Sequence, residues 1–371
     1  MNEPIRILHM IGSLNIGGSQ AMVVNLYKNI DREKIQFDFI LDHPSEVFFK
    51  ETVESLGAKV YEMPTFNGLN FRQIKKEWNK FFEEHPEYKV LHSHVRSYAS
   101  LYIPIAKKHG LKTIIHSHST SNGSGISAII KRLMQSSLKR RADYLFACSE
   151  ESGKWLFGEK AIRKSNYYMI PNAVDTKKFA FKNDVRCKTR ESLGISNDSI
   201  AYGHVGRLHP SKNHAFLLDV FAELLKKQPN AKLLLVGDGE LRGEIEAKIS
   251  ELKINDSVFM LGARNDVDEV LQAIDVFLFP SNWEGLPVTV VEAQASGLPC
   301  FISDTITKDV NTSSLVKYLP IDKGTTVWVD ELTSANLSRK NVIEDIKKAG
   351  FDIEESAYNI SDFYINLNTQ E

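Results

Sequence analysis

The sequence predicts an α/β protein built as two doubly wound domains, each a parallel sheet with helices on both faces. Three observations carry that expectation. Short apolar runs alternate with helix-length amphipathic segments along most of the chain, the order that builds parallel sheets. The alternation breaks at a polar, charged stretch, Lys182 to Asn197, and then restarts. The length, 371 residues, is long for one core and natural for two. The expected division is 1–175, 176–352 and a final segment, 353–371, read as a helix.

Composition narrows the classes. Hydrophobic residues make up 42% and charged residues 25%, which reads as globular. The net charge of −1 offers no basic footprint, so nucleic acid is not expected as a partner. Cys148, Cys187 and Cys300 lack metal-ligand spacing and form no even set for disulfides, which fits a reducing cytoplasm. Met1 to Ile11 has no basic leader and reads as a first strand, not a signal peptide. No apolar run reaches the roughly 18 residues of a membrane span.

Ile5 to Ile11 is strand-like, and its loop Gly12-Ser13-Leu14-Asn15-Ile16-Gly17-Gly18-Ser19-Gln20 feeds a helix, Ala21 to Ile30. Gly12 and Gly17 stand at P-loop spacing, but Gly18 occupies the place of the phosphate-reaching lysine, so a nucleotide triphosphatase is not expected. Gly17 and Gly18 still leave backbone N–H groups open to a ligand; a plain tight turn is the alternative. Strand and helix then alternate: 37–41, 45–56, 59–61, 71–84, 90–94, 97–109 and 113–119. His92, His94, His116 and His118 cluster at two strand ends. Without a carboxylate or cysteine at ligand spacing, packing is the expected role and no metal is predicted.

Ile126 to Arg141 reads as one basic amphipathic helix, with Ile126, Ile129, Ile130, Leu133, Met134 and Leu138 on one face. Lys131, Arg132, Lys139, Arg140 and Arg141 accompany them, so a contact with anionic lipid competes with an ordinary core helix. A strand at 143–149 and a helix through Phe157 close the first half, before Pro171-Asn172-Ala173-Val174-Asp175.

In the second half, the strand 199–206 is followed by Arg207-Leu208-His209-Pro210-Ser211-Lys212-Asn213 and a helix from His214 to Lys227. Arg207 and Lys212, five residues apart on one strand-end loop, can both grip a diphosphate. A buried strand, Lys232 to Val236, ends in Gly237-Asp238-Gly239. Asp266-Val267-Asp268 superficially matches a metal-binding carboxylate pair, but Asp266 with Glu269 reads as the start of a capped helix. Asp275 to Phe279 is a further buried strand, followed by Pro280-Ser281-Asn282-Trp283-Glu284-Gly285-Leu286-Pro287 and a helix from Val288 to Ser296. A loop-to-helix junction at a strand's carboxyl end is where open α/β sheets bind ligands, and the helix N-terminus suits a phosphate. Glu284 and Glu292 flank that junction, and a carboxylate can accept from both hydroxyls of a vicinal diol.

Glu284, seven residues and Glu292, inside Glu-Gly-Leu-Pro and closed by Glu-Ala-x-Ala-x-Gly-x-Pro, resembles the retaining nucleotide-sugar glycosyltransferases of the GT-B fold, family 4. Pro171-Asn172-x-Val174-Asp175 with Phe179, and Gly206-Arg207-Leu208 with Lys212-Asn213, extend the resemblance to essentially the whole chain. It implies two Rossmann-like domains facing across a cleft, the acceptor held by the first and the nucleotide-sugar by the second. By the same resemblance Arg207 and Lys212 bind phosphate, Glu292 the ribose, and Glu284 the donor sugar or phosphate. Gly206, Gly237, Asp238, Gly285 and Leu286 line the nucleotide, and the loop carrying Arg264 flanks the base. Gly17 and Gly18 face the donor phosphates, and His118 stands at the active-site edge. No cofactor and no essential metal are implied.

The text looks most like bacterial capsular and exopolysaccharide enzymes. It implies a UDP-sugar donor, GDP-sugar second, and a saccharide or lipid-linked saccharide acceptor, with a cytoplasmic location peripheral to the inner face of the membrane. A UDP-sugar epimerase of the same fold and an inactive sugar-nucleotide-binding partner protein are the alternatives. After Pro299 the run Phe301 to Val310 departs from the family's usual glycine-rich loop, so donor-sugar contacts there are not expected to follow the pattern.

Overall fold

The computed structural model describes residues 3–15, 17–44, 47–119 and 125–369. The chain divides into two compact units, Met1–Ala173 with Ile353–Glu371, and Val174–Asp352.

The first unit carries a seven-stranded sheet: β1 (Ile5–Gly12), β2 (Ile35–Leu41), β3 (Val60–Glu62), β4 (Val90–Ser93), β5 (Lys112–Ser117), β6 (Tyr144–Ala147) and β7 (Tyr167–Met169). Their order is β3-β2-β1-β4-β5-β6-β7, and every pairing is parallel. Strands covered on both faces are buried throughout, and β4 is buried at all four positions although His92 and Ser93 are polar. The helices are α1 (Gly18–Asn29), α2 (Lys50–Ser55), α3 (Phe71–Glu84), α4 (Ala99–Lys108), α5 (Gly125–Gln135), α6 (Leu138–Arg141) and α7 (Glu150–Phe157). The helix expected from Ser45 begins at Lys50; Ser45 itself lies outside the described residues. The single helix expected over 126–141 is two, α5 and α6.

The second unit opens with α8 (Thr176–Phe179) and α9 (Asn183–Ser192). The polar stretch 182–197, where the alternation breaks, is largely a helix. Its charges hold it in place: Arg190, 1% exposed, donates to the carbonyls of Ala273 and Ser199, and Arg186 pairs with Asp275 at 2.7 Å. Then come β8 (Ala201–Val205), α10 (His214–Lys227), β9 (Lys232–Val236), α11 (Arg242–Glu251), β10 (Val258–Gly262), α12 (Val267–Ala273), β11 (Val276–Phe279), α13 (Val288–Ala295), β12 (Cys300–Ser303) and β13 (Val316–Leu319). Helices α14 (Thr325–Ser334) and α15 (Ile343–Lys348) close the unit, before α16 (Ile353–Thr369) joins the first. The sheet order is β10-β9-β8-β11-β12-β13, again parallel.

Both orders reverse once, beside β1 in the first sheet and beside β8 in the second. A crevice opens at that reversal, outside the carboxyl ends of the two central strands. The loops after β1 and β4, and after β8 and β11, therefore carry whatever each unit binds.

Candidate active site

In the second unit the loops after β8 and β11 are tied together. Asn282 donates from its backbone N–H to the Ser211 carbonyl at 2.7 Å and from its side chain to the Pro210 carbonyl at 3.0 Å. Pro210–Lys212 forms one 3₁₀ turn, and Asn213 takes a left-handed conformation (φ 56°) that starts α10. This clamp sets Lys212 Nζ 2.7 Å from Glu284 Oε1, with both side chains about 15% exposed. The ammonium also lies 4.7 Å from the Phe279 ring centre, which favours a cation over the aromatic face. Arg207 stands farther out, 71% exposed, and pairs with Glu240 at 3.1 Å; His209 reaches the same carboxylate at 3.7 Å. Each candidate phosphate-binding cation is thus paired with a carboxylate.

Pro287 is the N-cap of α13, one residue before the helix, and no side chain among the described residues caps it. The Val290 N–H donates back to the Pro287 carbonyl at 3.0 Å, so the N–H groups of Val288 and Thr289 are those left to face an anion. Glu292 lies on the second turn of this helix. Burial pushes its carboxyl up to about 7, with Lys178 pulling it back down and Asp268 adding to the rise. Lys178 and Asp268 themselves pair at 3.0 Å. Burial thus sets the charge of this predicted ligand group, and Lys178, a residue absent from the sequence expectation, and Asp268 modulate it in opposite directions. Lys178 sits three residues after the Pro-Asn-x-Val-Asp run, which is the only signal pointing to it.

Gly237 and Asp238 close the inner side. A Cβ on Gly237 (φ 137°) would fall 2.0 Å from the Gly206 carbonyl oxygen, and one on Gly239 would fall 2.5 Å from that of Leu208. These glycines let two strand-end loops touch, and the close approach is backbone to backbone. A Cβ on Gly206 would in turn meet the Lys212 side chain at 3.0 Å. Asp238 holds the Gly239 N–H at 2.8 Å. Arg264 is locked in a two-point pair with Asp266 (2.7 and 2.5 Å), so Asp266 serves Arg264 and makes no side-chain cap for α12. Ser303 and Thr305, in the run that departs from the family pattern, connect back to the same loop, Thr305 donating to the Ser281 carbonyl at 3.0 Å.

In the first unit Gly17 is the extended N-cap of α1 and has no side-chain cap, and a Cβ on Gly18 would meet nothing within 4 Å. The backbone there is open to a ligand. His118, partly exposed, follows β5, with Nε2 2.8 Å from His94 Nδ1. Burial, with the Arg96 guanidinium adding to it, pushes the His118 pKa down to about 3, so its imidazole is neutral. His94 continues to His9 Nδ1 at 3.1 Å, while His92 joins His116 at 3.2 Å and the Tyr364 hydroxyl at 2.6 Å. His9 and Tyr364 were not among the expected residues; a polar side chain inside the apolar strand 5–11 was the available clue for His9.

The family pattern "Glycosyl transferases group 1" matches residues 185–310, and "Glycosyltransferase Family 4" matches 16–178. A Bacillus subtilis (strain 168) protein named as glycosyltransferase EpsF is 32% identical over 379 residues, covering 99% of this chain and 97% of its own length. The UDP-Gal:alpha-D-GlcNAc-diphosphoundecaprenol alpha-1,3-galactosyltransferase of Escherichia coli is 25% identical over 396 residues, covering 99% and 98%. Among solved structures, Anabaena HepE in complex with UDP and glucose aligns with a TM-score of 0.77 at 18% identity, over 98% of this chain and all of its own, a likeness of fold. With two parallel-sheet units of the GT-B kind and a relative matched end to end, the chain is a glycosyltransferase and belongs to glycosyltransferase family 4.

Proposed function

We propose that this enzyme moves a sugar from a UDP-sugar, with retention at the anomeric carbon, to a saccharide carried on a lipid diphosphate. The observation that carries the reading is the single sheet end that holds Lys212, Glu284, the open N-terminus of α13 and Glu292. A nucleotide diphosphate needs cations and N–H groups for its phosphates and a carboxylate for its ribose diol, and these are the groups present. Lys212, Arg207 and the α13 N–H groups stabilise the leaving diphosphate as its charge grows, without an essential metal. The acceptor attacks the face that the leaving group vacates, and a phosphate oxygen takes its proton. Glu284 then orients the donor sugar, and His118 is a further catalytic residue of this reading. The Escherichia coli relative supports the donor and acceptor classes by its name, and the HepE complex supports UDP.

The acceptor's lipid argues for a bilayer nearby. No helix among the described residues is long and apolar enough to cross one. Helix α5 instead exposes Ile129 (62%), Ile130 (52%) and Leu133 (68%) beside Lys131 and Arg132. Met134 and Leu138 turn into the core, and the side chain of Ile126 lies outside the described residues. Apolar side chains between cations suit an anionic leaflet, so we place the enzyme peripherally on the cytoplasmic face.

Thermal unfolding with UDP, GDP, ADP or CDP, each with EDTA, tests the donor class. A nucleotide at 100 times its Kd adds about 2.7 kcal/mol. Stabilisation by UDP that disappears in Glu292→Ala is the expected result. Stabilisation by GDP alone would move the donor to GDP-sugars, and none by any nucleotide would overturn the site.

A further inference from the structure

We infer that the carboxyl ends of β4 and β5 form a site for a late first-row divalent metal ion, Zn²⁺ being the redox-inert case, held by His94, His116 and His118. The inference does not rest on the transferase reading. It revises the expectation that these histidines only pack.

The placement follows from strand geometry. Residues two apart on a strand share a face, and β4 and β5 are paired neighbours, so His92, His94, His116 and His118 stack on one side of the sheet. Ring centres lie 4.0 Å apart for His116 and His118, 5.0 Å for His94 and His118, and 5.3 Å for His94 and His116. One ring nitrogen from each of these three falls within 4.8 Å of the others. Zinc with imidazole nitrogens at about 2.0–2.1 Å needs them roughly 3.3 Å apart in a tetrahedron, a shift small enough for side-chain rotation.

The surrounding rings supply the outer shell that a metal-bound histidine uses, a hydrogen bond from its other nitrogen. His94 Nε2 faces His9 Nδ1 at 3.1 Å, and His116 Nδ1 faces His92 Nε2 at 3.2 Å. His92 is anchored in turn by Tyr364 at 2.6 Å. With the ion in place the protons run outward, from His94 to His9 and from His116 through His92 to the Tyr364 oxygen. His116 Nε2, buried and without a partner among the described residues, gains one.

Three imidazoles and no carboxylate select Zn²⁺, Co²⁺, Ni²⁺ or Cu²⁺ over Mg²⁺ and Ca²⁺, which want oxygen. The partly exposed edge of His118 leaves a fourth position for water or an anion. An anion there would offset the nearby Arg96, whose guanidinium donates to the Ser119 carbonyl at 3.0 Å and lies over Trp155.

Tag-free protein titrated with ZnCl₂, and separately with CoCl₂, tests the site. One ion per chain is expected, with visible Co²⁺ bands of a nitrogen-ligated, low-symmetry centre. His116→Gln and His94→Gln should each weaken uptake at least about tenfold, while His85→Gln, after α3, leaves it unchanged. No stoichiometric uptake, or uptake unaltered in both site variants, would overturn the inference. Zinc-edge absorption on the wild-type protein decides the matter if the variants do not fold: imidazole scattering from three rings supports the site, and a shell without it removes it.

Discussion

The two switch points of this enzyme share a topology and differ in charge. At the end of β8 and β11, Lys212, Glu284, Arg207 and Glu240 form ion pairs, and Glu292 sits against a third pair, Lys178 and Asp268. At the end of β1, β4 and β5 the polar groups are chiefly neutral imidazoles and bare backbone N–H, with one cation, Arg96, beside them. Parallel strands position both sets in the same way, so the sheet does not decide what is bound. The side chains decide: the second unit gathers ion-paired cations and carboxylates, and the first gathers imidazoles.

The strongest way to break this contrast is to remove charge from the second unit. Lys212→Ala should lower turnover on the order of 10²- to 10³-fold, as loss of a group opposing developing negative charge does. Arg207→Ala, being at an exposed position, should cost less. Wild-type turnover by both in a donor-hydrolysis or transfer assay would end the assignment.

Glu292 sharpens the contrast through pH. Its folded pKa, about 7, lies above the ordinary value of 4.5, so the native state binds more protons than the unfolded chain between those values. Stability from this residue is therefore full below pH 4.5 and lost as pH rises through 7, by up to about 3 kcal/mol. Glu292→Gln should raise the melting temperature at pH 8 and leave it nearly unchanged at pH 4.5. The same variant should weaken UDP binding at pH 8, and wild-type affinity should fall as the carboxylate is protonated toward pH 6. A pH-independent UDP Kd measured by calorimetry would contradict that role.

The first unit should respond more gently. His118→Ala is expected to lower kcat about tenfold, one hydrogen bond's worth, with the UDP Kd unchanged. An equal loss in both would place His118 with the nucleotide instead. The smallest effect on chemistry is expected on α5: Leu133→Glu should abolish sedimentation with anionic vesicles while turnover on a soluble acceptor stays at the wild-type value.

How far the sequence could be read follows the same division. Glu284 and Glu292 were legible because a Pro-Gly-bounded loop and helix place them at one strand end, and Arg207 and Lys212 because they share one loop. Strand and helix order was legible wherever apolar runs alternate. Three things were not. The charged stretch 182–197 shows no helix by apolar pattern, and its place is set by Arg186 and Arg190 reaching Asp275 and carbonyls about 85 residues away. The pairing of Arg264 with Asp266 defeats a cap that spacing alone suggests. The histidine cluster assembles from three strands and one helix, and His92 and Tyr364 are 272 residues apart in sequence. Long-range polar partners leave no local pattern.

That last hydrogen bond has a consequence for how the protein is made. Helix α16 supplies Ile353, Ala357, Ile360, Tyr364 and Leu367 to the core of the first unit, yet it is translated after the whole second unit. Backbone pairing of Val174 with Phe351 closes the second unit on itself, so that unit has all its own parts first. On the ribosome the N-terminal sheet must therefore wait, with Phe37, His9 and His92 uncovered, until the final helix emerges. A chain stopped at residue 352 would leave the second unit complete and the first one open, an inversion of the usual order in which the amino-terminal half folds first.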